Sequence, residues 1–221
     1  MNRPSYRSCS LLLAALASTD LTDLLGLQAF QAGSSLPPAW NAAPVRGQRA
    51  PTLTVRDSAG QRMLRLTGTG TAGWLFHRLP SPVAPSSTRL TVSWRVLAAP
   101  PRADLRHADT DDAALRVFVV FATHGLLERT PRTLFYTTGA AEPEGYERRS
   151  FRSGALHVIR MGPNVASPTW IETTLDPFVD YQRIWGGKPR TIVAVGLMQD
   201  TEQTGGTAMA DVRALAWTSL P

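Results

Sequence analysis

The sequence predicts an all-β protein: an antiparallel β-sandwich of jelly-roll type with one short crossover helix. Three observations carry that expectation. Short segments alternating apolar and polar residues recur along the chain, as in Leu90-Thr91-Val92-Ser93-Trp94-Arg95-Val96. A strand covered on one side has this period because successive side chains point to opposite faces. Glycine and proline number 17 each, enough to divide 221 residues into many strands and turns. One segment stands out by carrying the capping and spacing of a helix.

The chain is the size of one domain and long enough to bury a large core. A hydrophobic content of 43% excludes disorder of the whole chain. No stretch reaches the ~18 consecutive apolar residues of a membrane span.

The N-terminus pairs Arg3 and Arg7 with the apolar run Leu11 to Ala17 and the small residues Ala15 and Ala17. That is the layout of a secretory signal peptide, so residues 1–17 are expected to be removed on export to the periplasm or the medium. Cys9 is the sole cysteine. A chain cleaved near Ser18 would have neither a disulfide nor a thiolate nucleophile. Residues 18–35 read as an N-terminal segment and residues 36–221 as a single β-sandwich domain. Asp20 before Leu21, Leu24 and Leu25 suggests a short helix within residues 18–30. Trp40 is expected to dock the lead-in segment, residues 32–51, onto the body.

Strands follow in series. Thr52–Arg56 and Met63–Leu66 form a hairpin that turns at Ser58-Ala59-Gly60. Trp74–Leu79 is a strand stopped by Pro80, and Leu90–Val96 is the next. Leu115–Phe121 is nearly all apolar, which fits a strand covered on both faces. Leu134–Tyr136, Leu156–Arg160, Thr169–Thr173, Ile192–Met198 and Met209–Trp217 complete the set. The helix starts at Asp176, an N-cap, with Pro177 in its first turn. Phe178, Tyr181 and Trp185 share one face, and Gly186-Gly187 ends it.

Several motifs are set aside. Gly68-Thr69-Gly70-Thr71-Ala72-Gly73 fits the glycine pattern of a dinucleotide loop, but a strand follows it where that loop needs a helix. It reads as a glycine-rich hairpin. His77, His107, His124 and His157 lack metal-ligand spacing. The net charge is +6, from 22 arginines and one lysine, Lys188. The arginines are dispersed, without the interleaved aromatics of a nucleic-acid surface. The densest group, Arg148, Arg149 and Arg152, follows Glu142, Glu144 and Glu147. It reads as a solvated hairpin or as a patch for an anionic ligand.

Two acidic segments call for explanation. Asp109-Thr110-Asp111-Asp112 ends the long loop Ala98–Asp112 just before the most apolar strand. Asp200-Thr201-Glu202-Gln203 follows another apolar strand, with Asp211 beyond. Three readings stand. The carboxylates cap backbone and pair with arginine. Or Asp111, Asp112, Asp200 and Asp211 hold Ca2+, which prefers such hard oxygens. Or Asp112, Asp200 and Glu172 supply the acid and base of glycan cleavage, assisted by Tyr136 or Arg116. Arg116, Tyr136, Trp94, Arg95 and His157 are the candidate ligand-binding residues. Trp74, Tyr146 and Trp170 join Tyr136 as aromatics able to lie on a sugar face.

Asp111-Asp112-Ala113-Ala114-Leu115-Arg116-Val117-Phe118-Val119-Val120-Phe121 resembles the central motif of a bacterial family, domain of unknown function 3047. Leu36-Pro37-Pro38-Ala39-Trp40, Leu90–Val96, Asp176–Tyr181 and Val195–Thr201 are similar to the same family in the same order. The resemblance spans roughly Leu36 to Trp217. It implies an exported β-sandwich like those of carbohydrate-binding modules, and no established activity. The family usually has aspartate and asparagine where this chain has Glu202 and Gln203, and often arginine where it has Leu175. The longer side chains at 202 and 203 would shift any ligand oxygens.

The expected function is non-catalytic binding of a glycan or another polar cell-envelope molecule. The alternatives are a polysaccharide-cleaving hydrolase or lyase and a protein-interaction domain of the envelope.

Overall fold

The computed structural model describes residues 21–33, 39–85, 88–123 and 130–219. The expected signal peptide, Cys9, the Asp20 cap, Leu36–Pro38 and His124 lie outside them.

In chain order the strands are β1 (Leu21–Asp23), β2 (Trp40–Pro44), β3 (Thr52–Ser58), β4 (Gln61–Thr69), β5 (Ala72–Val83) and β6 (Thr88–Ala98). Next come β7 (Ala113–Phe121), β8 (Thr133–Gly139), β9 (Glu147–Arg149), β10 (Leu156–Pro163) and β11 (Ile171–Leu175). Helix α1 (Pro177–Trp185) leads into β12 (Ile192–Asp200) and β13 (Thr207–Ser219).

They form two stacked sheets. The first runs β11-β6-β13-β4-β3, with β1 also paired to β13. The second runs β2-β5-β12-β7-β8-β10-β9. This is the expected β-sandwich, and α1 crosses from the first sheet to the second. The β8–β10 pair is parallel, with Leu156 opposite Thr133, because β9 pairs on the outer side of β10.

Alternation along β7 sets the layers. Leu115, Val117, Val119 and Phe121 enter the core between the sheets. Phe118 faces the other way. The strand is therefore covered on both sides, as its apolar run predicts. Gln199 is fully buried and donates from Nε2 to the carbonyls of Leu66 in β4 and Ala114 in β7, each at 3.2 Å. One amide thus links the two layers.

Helix α1 closes one end of the core. Asp176 Oδ1 accepts from the Val179 amide at 3.2 Å. Tyr181 packs edge-on to Phe121 with ring centroids 4.7 Å apart. The Tyr136 hydroxyl donates to Asp180 Oδ2 at 2.7 Å.

Three expectations are corrected. Residues 21–29 form β1 and a short 3-10 turn, Leu27–Ala29, in place of a helix. Asp23 accepts from the amides of Leu25 and Gly26, a local turn that competes with helix, while Leu25 and Leu27 sink into the core. The glycine-rich segment at 68–73 is a corner between sheets, since β4 and β5 belong to different layers. A Cβ on Gly68 would stand 1.9 Å from Thr71 Oγ1. Finally, β5 runs on through Pro80 and Pro82. The register skips residues 79–82 between Arg78 and Val83, and a proline is tolerated where no ladder amide is needed.

Two stability predictions follow from this framework. The β3–β4 turn places Ala59 at φ 53° and Gly60 at φ 78°, and alanine is strained in that left-handed region. Ala59 is exposed, so Ala59→Asn should stabilise the fold by about 0.5–1 kcal/mol, read as a higher Tm. The second concerns His157, packed edge-on to Trp185 with Nε2 3.8 Å from Glu147 Oε2. Burial pulls its pKa below the usual value, partly opposed by Glu147. The folded state therefore favours the neutral ring. Its contribution is fully present above the unfolded pKa of about 6.5 and is lost as pH falls through the lowered folded value. Urea melts at pH 7.5 and 5.5 should show a loss on acidification that shrinks in His157→Gln, by less than the ~1.4 kcal/mol per pH unit of one proton.

Candidate functional site

The second sheet is apolar on its outer face as well. Phe118, Phe135, Val158 and Met198 are buried there, with Val45, Trp74, Phe76, Val120 and Leu156 packed against them. Trp74 stands edge-on to Phe118 with centroids 5.6 Å apart and lies 5.8 Å from Phe135. Gly196 makes room for this arrangement: a Cβ there would lie 2.1 Å from Phe118 Cζ and 2.6 Å from the Leu75 carbonyl.

Above this floor is a groove of about 450 Å³. Val45, Arg46 and Gln48, after β2, form one wall, and Ser150 and Arg152 contribute from the β9–β10 connection. Asp111, Arg116, Asp200, Glu202 and Gln203 form a polar end.

The polar end is built around Asp112, which has no exposed surface. Its Oδ1 accepts from the Gln203 amide at 3.2 Å. Its Oδ2 accepts from the Thr204 amide at 2.8 Å and the Thr204 hydroxyl at 2.6 Å. Thr201 anchors the same segment, donating from its amide and hydroxyl to the Thr71 carbonyl at 2.8 and 3.0 Å. Asp200 and Glu202 are thereby held beside Asp112, with one oxygen of each carboxylate within 4.8 Å of the others.

Arg116 is 4% exposed. Its Nη2 donates to Asp111 Oδ1 at 3.0 Å and lies 3.6 Å from Asp200 Oδ2. Arg148 pairs with Asp111 Oδ2 at 2.6 Å. Burial raises the Asp200 pKa well above the carboxylate range; Arg116 opposes this and Glu202 adds to it. The folded state therefore favours the protonated carboxyl of Asp200. Four buried atoms here have no hydrogen-bond partner among the described residues: Arg116 Nε, Asp200 Oδ1, Glu202 Oε2 and Gln203 Oε1.

The structure separates the residues the sequence grouped. Asp112 and Asp200 meet, and Arg116 and Trp74 line the groove. Asp211 does not join them. It lies on β13 of the first sheet, fully buried, bound by Arg65 (Nε–Oδ1 2.7 Å) and Arg95 (Nη2–Oδ2 2.8 Å). Its two arginines satisfy it, so the four aspartates expected to share a cation do not come together; among the described residues the carboxylates that do are Asp112, Asp200 and Glu202. Asp111 is occupied by Arg116 and Arg148.

Glu172 is exposed on β11, also in the first sheet, away from the other proposed acids. Trp94 is fully buried between the layers, donating to Thr173 Oγ1 at 3.0 Å. Arg95 serves Asp211 and lies over Trp170 at 4.5 Å, with Arg213 over the same ring at 4.6 Å. Tyr136 and His157 are buried under α1, and Tyr146 is absent from the groove lining. Alternation explains these misses. Trp94 and Tyr136 fall on core-facing positions, whereas Phe135, Val158 and Met198 fall on the groove side. The latter signal was in the sequence, in strands apolar on both faces.

Over residues 38–216 the sequence matches the family described as protein of unknown function (DUF3047). The chain belongs to this family. No curated protein matches the DUF3047 chain. Among solved structures it is similar to the family 11 carbohydrate-binding module of the cellulosomal cellulase Lic26A-Cel5E of Clostridium thermocellum. Identity is 8%, coverage 93% of this chain and 97% of that one, and TM-score 0.49. It is also similar to endoglucanase 3 of Trichoderma harzianum, from family GH12, at 11% identity, 92% and 99% coverage and TM-score 0.46. The family 11 xylanase of Neocallimastix patriciarum aligns at 10% identity, 86% and 95% coverage and TM-score 0.47.

The DUF3047 chain's Asp200 yields a direct test. A carboxyl whose folded pKa is raised stabilises the fold below its unfolded value, near 3.9, and loses that contribution as pH rises. In EDTA buffer at pH 7, Asp200→Asn should melt several degrees above the parent. The gain should shrink toward pH 4. An equal or lower Tm at pH 7 would show that the charge is well accommodated.

Proposed function

We propose that the protein is an exported, non-catalytic binding module and that the groove on its seven-stranded sheet receives a glycan. The observation that carries this is the pairing of an aromatic floor with a polar end rich in unpartnered atoms. A sugar ring offers an apolar C–H face and a rim of hydroxyls that both donate and accept. Trp74 and Phe135, which line the groove with Phe118 packed beneath them, suit the face. Arg116 Nε can donate to a hydroxyl, while Asp200 Oδ1, Glu202 Oε2 and Gln203 Oε1 can accept from others. A volume of about 450 Å³ is in the range of small-ligand sites. The basic and apolar pattern of residues 3–17 supports export.

Non-catalytic binding is favoured because Asp112, the first carboxylate proposed for cleavage, has no exposure and both oxygens engaged. The second reading is a glycan hydrolase. It is favoured by Asp200, a carboxyl inclined to hold its proton, within reach of Glu202; a buried proton donor beside a second carboxylate is what glycosidic acid catalysis needs.

A glycan array probed with the purified domain should show binding to a limited set of polysaccharides. Trp74→Ala should weaken it at least tenfold while the circular dichroism spectrum stays unchanged, and silence across the array would sink the glycan reading. Release of reducing ends by the parent, abolished in Asp200→Asn, would establish the hydrolase.

A further inference from the structure

The carboxylates at the polar end pose a problem that a sugar alone does not solve. Asp111, Asp112, Asp200 and Glu202 bring four acidic groups together, and the buried guanidiniums beside them are two, Arg116 and Arg148. With all four ionised the excess would be two negative charges where water is largely excluded, and uncompensated buried charge is costly unless a proton or a cation answers it. Arg46 and Arg152 stand at the exposed rim, where solvent screens them.

We propose that Asp112, Asp200, Glu202 and Gln203 form a calcium-binding site at the end of the groove. Asp200 is 7% exposed, and its Oδ1 has no partner among the described residues. Glu202 Oε2 and Gln203 Oε1 are buried and unpartnered in the same way. Arg116 approaches the other Asp200 oxygen, Oδ2, at 3.6 Å, which leaves Oδ1 for an ion. Asp112 Oδ2 accepts from both the amide and the hydroxyl of Thr204, whereas Oδ1 accepts only from the Gln203 amide and keeps a further lone pair for an ion.

The donor chemistry selects the ion. Three oxygens no more than 4.8 Å apart can share one ion at their centre. Calcium accepts six to eight oxygens in flexible geometry at roughly 2.3–2.6 Å. Magnesium demands near-ideal octahedral geometry at ~2.0–2.1 Å and sheds its water reluctantly, so a cluster of protein oxygens suits it less. An all-oxygen donor set, mixing carboxylates with an amide, also suits calcium. The segment is held in place beforehand: Thr201, between two of the ligands, is tied to Thr71 through backbone and hydroxyl, and Asp112 grips the amides of Gln203 and Thr204. Coordination positions that the protein does not fill go to water.

The test uses the metal alone, so its outcome is independent of whether the groove binds a glycan. Protein stripped with EDTA and desalted is titrated calorimetrically with CaCl2 and with MgCl2, and its thermal unfolding is recorded in each. One calcium per chain, a raised Tm and magnesium binding at least tenfold weaker are expected. Glu202→Gln and Gln203→Ala should each weaken calcium at least tenfold. Gln203→Ala changes a partly exposed side chain and should melt cooperatively even if Glu202→Gln does not fold. Asp109→Asn, at an exposed acid outside the cluster, should bind as the parent does. The proposal is overturned by absent heat and an unchanged Tm up to ~10 mM calcium, beyond the weak extracellular range of ~10⁻⁴–10⁻³ M. Undiminished affinity in Gln203→Ala and Glu202→Gln would overturn it too.

Discussion

A carboxylate with no surface of its own, Asp112, holds the polar end of the groove together. It stands at the start of β7, the most apolar strand, and grips the turn that follows β12 through two amides and a hydroxyl. An ionised group in that position is tolerable only when its oxygens are satisfied. The turn is therefore drawn to a fixed place, and Asp200, Glu202 and Gln203 come with it. Thr71 and Thr201 secure the same turn from the sheet-to-sheet corner. The groove's polar groups thus rest on ordered backbone, which keeps their positions independent of any occupant.

The two acidic centres show how partner chemistry separates structure from function. Asp211 and Asp200 are both buried aspartates on neighbouring strands in sequence. Asp211 meets two arginines at hydrogen-bond distance, one of them through two parallel contacts, and its charge is fully answered. Asp200 has one arginine at 3.6 Å and one oxygen with no partner. The first arrangement stabilises the outer face of the six-stranded sheet. The second leaves a group that a proton, a cation or a ligand hydroxyl must satisfy. Such incomplete satisfaction is uncommon in buried positions and tends to mark sites of function.

The seven-stranded sheet carries both the core and the groove because β7 and β8 are buried on both faces. That property was legible as a nearly unbroken apolar run at Leu115–Phe121. The strands, the hairpin turn at Ala59-Gly60 and the helix from Pro177 were legible as well, since alternation, turn chemistry and capping are local. Asp112 and Asp200 were legible as a pair because each ends a loop or strand beside an apolar run. The expected helix near residue 21 failed because Leu25 and Leu27 serve a distant core. Residue type alone points Trp94, Tyr136, Arg95 and His157 to ligand binding and Glu172 to catalysis, without the inward or outward sense that decides their role.

Taken by itself, the sequence determined most of the segments that become strands, the hairpin turn at Ala59-Gly60, and that acidic side chains gather at strand ends. Each of these depends on residues a few positions apart, whose sterics and hydrogen bonding act before any long-range contact forms. Only the tertiary structure decided that Asp200 joins Asp112 and Glu202 while Asp211 faces Arg65 and Arg95 on the other layer. Register between strands far apart in the chain sets which side chains meet, and a shift of one residue would turn each of them to the opposite face.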